Sequence, residues 1–241
     1  MNMQEQTDPQ TESEETDSQQ QQADMQRLVK EIEAHPENWQ AYADLINVLT
    51  ATGNFVEAEE LGLKSLSLFE DDAQAKAYLA YSVGNVYYAA GSYAQAQNFF
   101  QLVQLPELAH DVTMMQAQDW FAQKNYKQAL AFALTGTEQD AQDVDAFDLL
   151  GNIWLALDQF DEAQAAFERV LAINGDDFEA NFGRGLLAQV VAIDDENQWF
   201  SYAEALDATK FKQKTQQLND LSQVIVNKQQ GEQTVDGKPT E

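Results

Sequence analysis

An aromatic residue followed three positions later by alanine occurs four times in this chain: Phe55/Ala58, Tyr93/Ala96, Tyr126/Ala129 and Phe160/Ala163. The aromatic residues lie 38, 33 and 34 positions apart, which is the length of a two-helix unit. A chain that solves one packing problem at this period folds as an array of helix pairs, each pair contacting its neighbours. A second apolar pattern lies upstream at a constant offset: Tyr42, Leu45 and Leu49, then Val83, Gly84 and Tyr87, then Phe147, Leu150, Gly151 and Trp154. Spacings of three and four place these side chains on one stripe of a helix, and such a stripe must be buried.

Small residues have a steric reason in this scheme. Gly84, Gly151 and Gly185 in first helices, and Ala58, Ala96, Ala129 and Ala163 in second helices, admit a neighbouring backbone where two helices cross. Between the helices stand Gly53-Asn54, Gly91-Ser92, Asn125 and Asp158-Gln159, residues that end a helix or tolerate a tight turn. No strand pattern competes.

With these residues in place the chain resembles the tetratricopeptide repeat family. The best copy of its motif runs from Val144 to Asp177, with Phe147, Leu150-Gly151, Trp154, Phe160, Ala163, Phe167 and Val170-Leu171 in the motif's places. Trp39 to Asp72 and Ala77 to roughly Ala109 are good copies, His110 to Asp143 is weaker, and from Phe178 onward mainly Gly185 is kept. The resemblance implies an all-α fold of the small stand-alone bacterial type. Its architecture is a right-handed superhelical solenoid of antiparallel helix pairs, about five units with capping helices at the ends. The expected repeats fall near residues 39–72, 77–109, 110–143, 144–177 and 178–209, within a solenoid spanning 23–209.

Two departures from the motif carry structural expectations. Ile46 stands where a small glycine is usual and Gly62 where a large aromatic is usual, which predicts a size exchange with Ile46 filling the space at Gly62. Phe200 and Ala203 repeat the aromatic-alanine pair but arrive 40 residues after Phe160, which predicts an insertion around Asp194 to Gln198.

The ends read differently from the array. Residues 1–22 hold six acidic residues, no basic one and a run of four glutamines; such a composition buries too little apolar surface to order itself, so a disordered acidic tail is expected. Residues 23–34, with Leu28 and Ile32 four apart before Pro36, read as the second half of an incomplete repeat that caps the first full one. Phe211, Leu218, Leu221 and Ile225 form a stripe that predicts a C-terminal capping helix over 210–228, followed by an unstructured 229–241.

The formal net charge is −28, from 13 basic and 41 acidic residues. Five of the basic residues, Lys210, Lys212, Lys214, Lys228 and Lys238, lie beyond Ala208, so the array itself is strongly acidic. Binding of a phosphate backbone requires clustered Lys and Arg, and nucleic acid is therefore not expected as a direct ligand. An acidic surface steers basic proteins or basic peptide segments towards it. Cysteine is absent, which removes disulfides and thiolate metal sites and is compatible with a reducing compartment. A basic leader and an apolar run long enough to span a bilayer are both lacking, so a soluble cytoplasmic protein without membrane contact is expected.

Catalytic chemistry finds no support in the residues. His35 and His110 have no partner histidine or cysteine with metal-ligand spacing. The pairs Asp71-Asp72 and Asp176-Asp177, and Asp194-Asp195-Glu196, recur at repeat boundaries, where negative charge meets helix N-termini. No phosphate loop or nucleophile elbow is present. The expectation is a protein that is no enzyme and needs no metal, cofactor or small-molecule substrate.

Proteins of the family usually bind extended or helical peptides on the inner face made by their first helices. Carried onto this chain, those groove positions are Gln40, Asp44 and Asn47; Tyr78, Tyr81, Asn85 and Tyr88; Met114, Gln118 and Phe121; Asp145, Asp148 and Asn152; and Phe182. None is basic, which argues against the lysine- and arginine-lined clamp that some members use for a C-terminal carboxylate. The implied ligand supplies apolar and cationic groups, anchored on tyrosines and oriented by Asp145 and Asp148. Two roles follow: an adaptor that binds a basic or apolar segment of another cytoplasmic protein, or a chaperone-like holder of unfolded or secreted clients.

Overall fold

The computed structural model describes residues 9–190 and 197–219, and almost all of them are helical. They divide into two compact units with the boundary after Asp140. The first contains α1 (Pro9–Ala34), α2 (Trp39–Ala51), α3 (Phe55–Leu68), α4 (Ala73–Ala89), α5 (Tyr93–Leu102), a 3-10 turn (Pro106–Leu108), α6 (Ala109–Ala122) and α7 (Tyr126–Gln139). The second contains α8 (Val144–Ala156), α9 (Phe160–Ile173), α10 (Phe178–Val190), α11 (Gln198–Leu206) and α12 (208–219). Helices pair as hairpins, α2 with α3, α4 with α5, α6 with α7, α8 with α9 and α10 with α11. Each unit is thus a stretch of helical solenoid.

The turn chemistry is the same in four hairpins. Gly53, Gly91, Lys124 and Asp158 have φ of +76°, +73°, +59° and +59°. Each is followed by a residue whose N–H reaches back to the carbonyl five places earlier: Asn54 to Leu49, Ser92 to Tyr87, Asn125 to Trp120 and Gln159 to Trp154, at 2.8–2.9 Å. The left-handed residue itself donates to the carbonyl three places back. This is the Schellman ending, which satisfies carbonyls that the helix leaves open. The following helix starts with no side-chain N-cap bond in these four hairpins, so the turn is stabilised by the outgoing helix.

Between hairpins the aspartates act as caps. Asp72 accepts from the N–H groups of Gln74 and Ala75 at 3.0 and 2.9 Å. Asp143 and Asp177 accept from Ala146 and Ala180, and Asn197 and Asp207 from Phe200 and Lys210. Each satisfies a donor that the first turn would otherwise leave open.

Packing explains the repeated alanines. Ala58, Ala96, Ala129, Ala163 and Ala203 are fully buried. A Cβ built on Gly84 would fall against the Phe100 ring, on Gly151 against Phe167, and on Gly185 against Phe200. The glycine of one helix is the seat for an aromatic of its partner. In α6/α7 the relation is reversed, with Met114 of α6 lying over Gly136 of α7. The core is layered rather than central. Leu28 of α1 packs with Ala41 and Leu45 of α2, Ile46, Ala58, Leu79 and Val86 form the next layer, and Phe100, Leu108 and Val112 the next.

The expected size exchange is revised by this packing. Gly62 is covered chiefly by a γ-methyl of Val83, in the next repeat, while Cδ1 of Ile46 stands 3.6 Å from the Cβ position. The space left by the missing aromatic is therefore filled first from α4.

The ends also differ from expectation. Helix α1 begins at Pro9, so residues 9–22, expected to be disordered, continue the capping helix; residues 1–8 lie outside the described residues. Glutamine and glutamate are good helix formers, and a helix anchored by Leu28 and Ile32 propagates through them. At the other end α12 covers 208–219, while 220–228 and the expected 229–241 tail lie outside the described residues. So does most of the expected insertion, 191–196, together with Asp194, Asp195 and Glu196.

Candidate functional site

In the first unit, α2 presents Gln40, Asp44 and Asn47 to solvent, because its opposite face, with Ala41, Tyr42, Leu45 and Ile46, is buried. On α4 the residues Tyr78, Tyr81, Asn85 and Tyr88 recur at helical spacing and are half-buried. Tyr78 stacks on Trp39 of α2 with ring centroids 5.0 Å apart, and Tyr81 tilts against Phe100 at 6.0 Å. Burial raises the Tyr81 phenol above its ordinary range, although a hydrogen bond with Asn85 works the other way. The Asn85 Oδ1 is buried with no partner.

The remaining aromatics of this stripe have a structural duty as well. Tyr88 packs on Tyr93, and Phe121 packs on Tyr126 at 5.5 Å. Both pairs bridge a hairpin turn, and their members are separated by the same five residues. Gln118 is half-buried, while Met114 is buried in the hairpin contact with Gly136. Met114 thus belongs to the core between α6 and α7.

Sequence reasoning missed a polar cluster in this unit. Asp119 is fully buried and accepts from Gln97 Nε2 at 2.6 Å and Gln123 Nε2 at 2.9 Å. Burial raises its carboxyl above the usual range, opposed by the two amide hydrogen bonds. Its signal in the sequence is weak, since an aspartate two residues before Phe121 reads as a solvated position.

In the second unit, Asp145 is exposed and Asn152 half-buried on α8, but Asp148 is only 7% exposed. Burial pushes its carboxyl up to about 8, with further contributions from Asp177, Glu179, a hydrogen bond to Asp177, and Asp145. Its Oδ1 has no partner. Asp148 is therefore a buried acid within a nest of carboxylates rather than a free surface charge. Among the described residues no group of His, Asp and Glu is arranged to hold a metal ion.

Phe182, the last predicted groove residue, is buried in a cluster with Phe178, Phe200 and Phe211. Its ring lies 5.9 Å from Phe178, 5.1 Å from Phe200 and 5.7 Å from Phe211. Phe211 comes from α12, whose lysines reach the same place. Lys210 Nζ lies 3.0 Å from Glu179 Oε1, and Lys214 pairs with Glu179 Oε2. The two ammonium groups also stand over aromatic faces, Lys210 at 4.7 Å from Phe178 and Lys214 at 5.3 Å from Phe182. Burial pushes the Glu179 carboxyl up, but hydrogen bonds and charge from Lys214 and Lys210 outweigh it and hold the group below its usual range. Sequence reasoning did not join Glu179 to these lysines, although the concentration of basic residues beyond Ala208 was the available signal.

This geometry has counterparts among known proteins. Residues 149–209 match the tetratricopeptide repeat model. A crystal structure of YrrB, described as a TPR protein with an unusual peptide-binding site, superposes with a TM-score of 0.56 at 19% identity, covering 79% of this chain and 97% of that one. A MamA crystal structure gives 0.57 at 19% identity, covering 73% and 96%. MamA 41-end from Desulfovibrio magneticus RS-1 gives 0.60 at 16% identity, covering 71% and 96%. No curated protein matches the chain. No described helix is long and apolar enough to cross a membrane. With its recurring aromatic-alanine pairs and its hairpin stacking, the chain has the fold of tetratricopeptide repeat structures, and its residues 149–209 match that family's model.

Proposed function

We propose that the protein is a non-catalytic adaptor whose first helices bind a basic or apolar peptide segment of another cytoplasmic protein. The observation that carries this reading is the α4 stripe: Tyr78, Tyr81 and Tyr88 half-exposed along one helix face, with the unpartnered Asn85 Oδ1 among them. Tyrosines offer large contact area at low entropic cost and a polar tip. Asp44 on α2 and Asp111 on α6 contribute negative charge on the neighbouring first helices, and Asp111 is close enough to Tyr81 to act on its phenol. Cationic and apolar side chains are the complement of such a surface. That YrrB is described as having a peptide-binding site agrees with this use of the fold.

Display selection of random peptides on the full-length protein tests the reading. Enriched peptides should combine Lys or Arg with aromatic residues, and a Tyr78→Ala/Tyr81→Ala variant should lose them. Enrichment of acidic peptides, or equal enrichment on the variant, would contradict it. The holder alternative predicts a different result: suppressed light scattering from several unrelated unfolded proteins, without a preferred sequence.

A further inference from the structure

Among the described residues, helix α12 meets α10 through Phe211, Lys210 and Lys214. Among the described ones, Phe211 alone joins the aromatic cluster of Phe178, Phe182 and Phe200, and Lys210 and Lys214 flank it on Glu179. Its outward residues are solvated: Lys212, Gln213 and residues 216–219 are exposed, Leu218 among them. A single residue, Asp207, separates α12 from the end of α11 at Leu206. Asp207 also caps α12 through the Lys210 N–H at 2.8 Å.

This chemistry is the one inferred for an external ligand. An aromatic ring fills an aromatic pocket, and two ammonium groups meet one carboxylate and two ring faces. Asp148, close enough to Glu179 for the two carboxyls to act on each other, is buried with an unpartnered Oδ1. We propose that the α10 face formed by Phe178, Glu179 and Phe182 is a binding site for a helix carrying an aromatic residue flanked by lysines one position before and three after, and that α12 is its resident, displaceable occupant. The inference rests on reading the array as a peptide-binding protein and names the ligand at its last repeat.

The physical case for displacement is one of balance. A segment tethered by one residue acts at a high effective concentration, which favours the closed form. Part of its hold is two lysines on one glutamate, an arrangement weakened by salt, and a partner helix presenting the same aromatic and cationic groups with further contacts competes on equal terms. Opening at Asp207 exposes Phe182 and Phe200, an apolar surface that a partner helix covers again.

The test uses the full chain and a fluorescent synthetic peptide of residues 207–219. Lys210→Glu/Lys214→Glu places carboxylates against Glu179 and releases α12. This variant should bind the probe at least about tenfold more tightly than the wild type, the tethered competitor being gone. Adding Glu179→Lys should abolish probe binding and restore the wild-type melting temperature by re-pairing the helix with opposite signs. A variant that binds the probe no better than the wild type would overturn the inference, leaving α12 a fixed cap.

A second measurement needs no substitution. Amide hydrogen exchange of the wild type should show α12 less protected than α10, and excess probe should lower that protection further. Equal protection of the two helices, unmoved by the probe, would overturn the proposal even if the charge-reversed chain did not fold. Probe failure with continued capture of peptides by the Tyr78/Tyr81 face removes this inference alone; failure of both removes the peptide-binding reading with it.

Discussion

Lys124 shows how a single residue can be placed at a cost that the fold absorbs. Gly53 and Gly91 occupy the left-handed turn position freely, but Lys124 holds φ of +59° there with a full side chain, a conformation unfavourable by about 1–2 kcal/mol for an L-residue. Lys124→Gly should stabilise the protein by roughly 0.5–1 kcal/mol. Asp158→Gly should give less, because aspartate tolerates this region better. Gly91→Ala should have the opposite sign despite open space around the site. Thermal melting of the three variants checks the order, and a stabilising Gly91→Ala would contradict it.

Asp148 makes a second prediction at the same scale. Its carboxyl ionises near pH 4 in an unfolded chain but holds its proton to about 8 in the folded one. Between those values the folded state binds the extra proton, so the stability associated with Asp148 is complete below about pH 4 and is lost as pH rises through about 8. The groups that face it are Asp145 on α8 and Asp177 and Glu179 at the start of α10, with Lys210 and Lys214 answering Glu179. Glu179, held low by its lysines, works in the opposite direction and only on the acid side. Asp148→Asn, which cannot ionise, should flatten the decline between about pH 4 and about pH 8 and leave the profile below about pH 4 unchanged. An unaltered pH profile of melting would contradict the assignment.

At the scale of the element, each hairpin is specified by one small residue and the large one seated on it. Gly62 beneath Val83 is such a seat in the first unit, and it lacks an aromatic. Val83 is β-branched and cannot swing away as a longer side chain would. Gly62→Phe should overpack the site by roughly 1–3 kcal/mol, and Val83→Ala should relieve part of that in the double variant. Melting unchanged by Gly62→Phe would refute this packing.

The elements were the most legible part of the chain. A 33–38-residue interval, alanine at a fixed place and apolar stripes at spacings of three and four are properties of neighbouring residues, and each repeat buries them locally. What could not be read depended on partners outside that period. The extension of α1 to Pro9 reflects helix propensity winning over a composition poor in apolar residues. The raised carboxyl of Asp148 arises from its burial and from Asp177 and Glu179 on the following repeat. The meeting of Glu179 with Lys210 and Lys214 joins residues 31 and 35 positions apart in a connection that the motif does not contain. Tyr78, Tyr81 and Asn85 were readable as one stripe, yet Tyr88 and Phe121 also brace the turns, since one helical face serves two purposes there.

At the scale of the whole molecule the dominant property is charge. With −28 overall and with Lys210 and Lys214 occupied in ion pairs and aromatic contacts on α10, the protein carries a field that favours basic over acidic partners. Such attraction is screened beyond about 8 Å at physiological salt, so under the proposed function it would govern the rate of encounter, while the tyrosines would govern how long a ligand stays. Titration of a fluorescent lysine-aromatic peptide, beside the same peptide with every lysine replaced by glutamate, tests this claim directly at two ionic strengths. The account predicts saturable binding of the first peptide only, weakening as salt rises and lost in Tyr78→Ala/Tyr81→Ala. Equal binding of both peptides, or binding indifferent to salt and to the tyrosines, would contradict it.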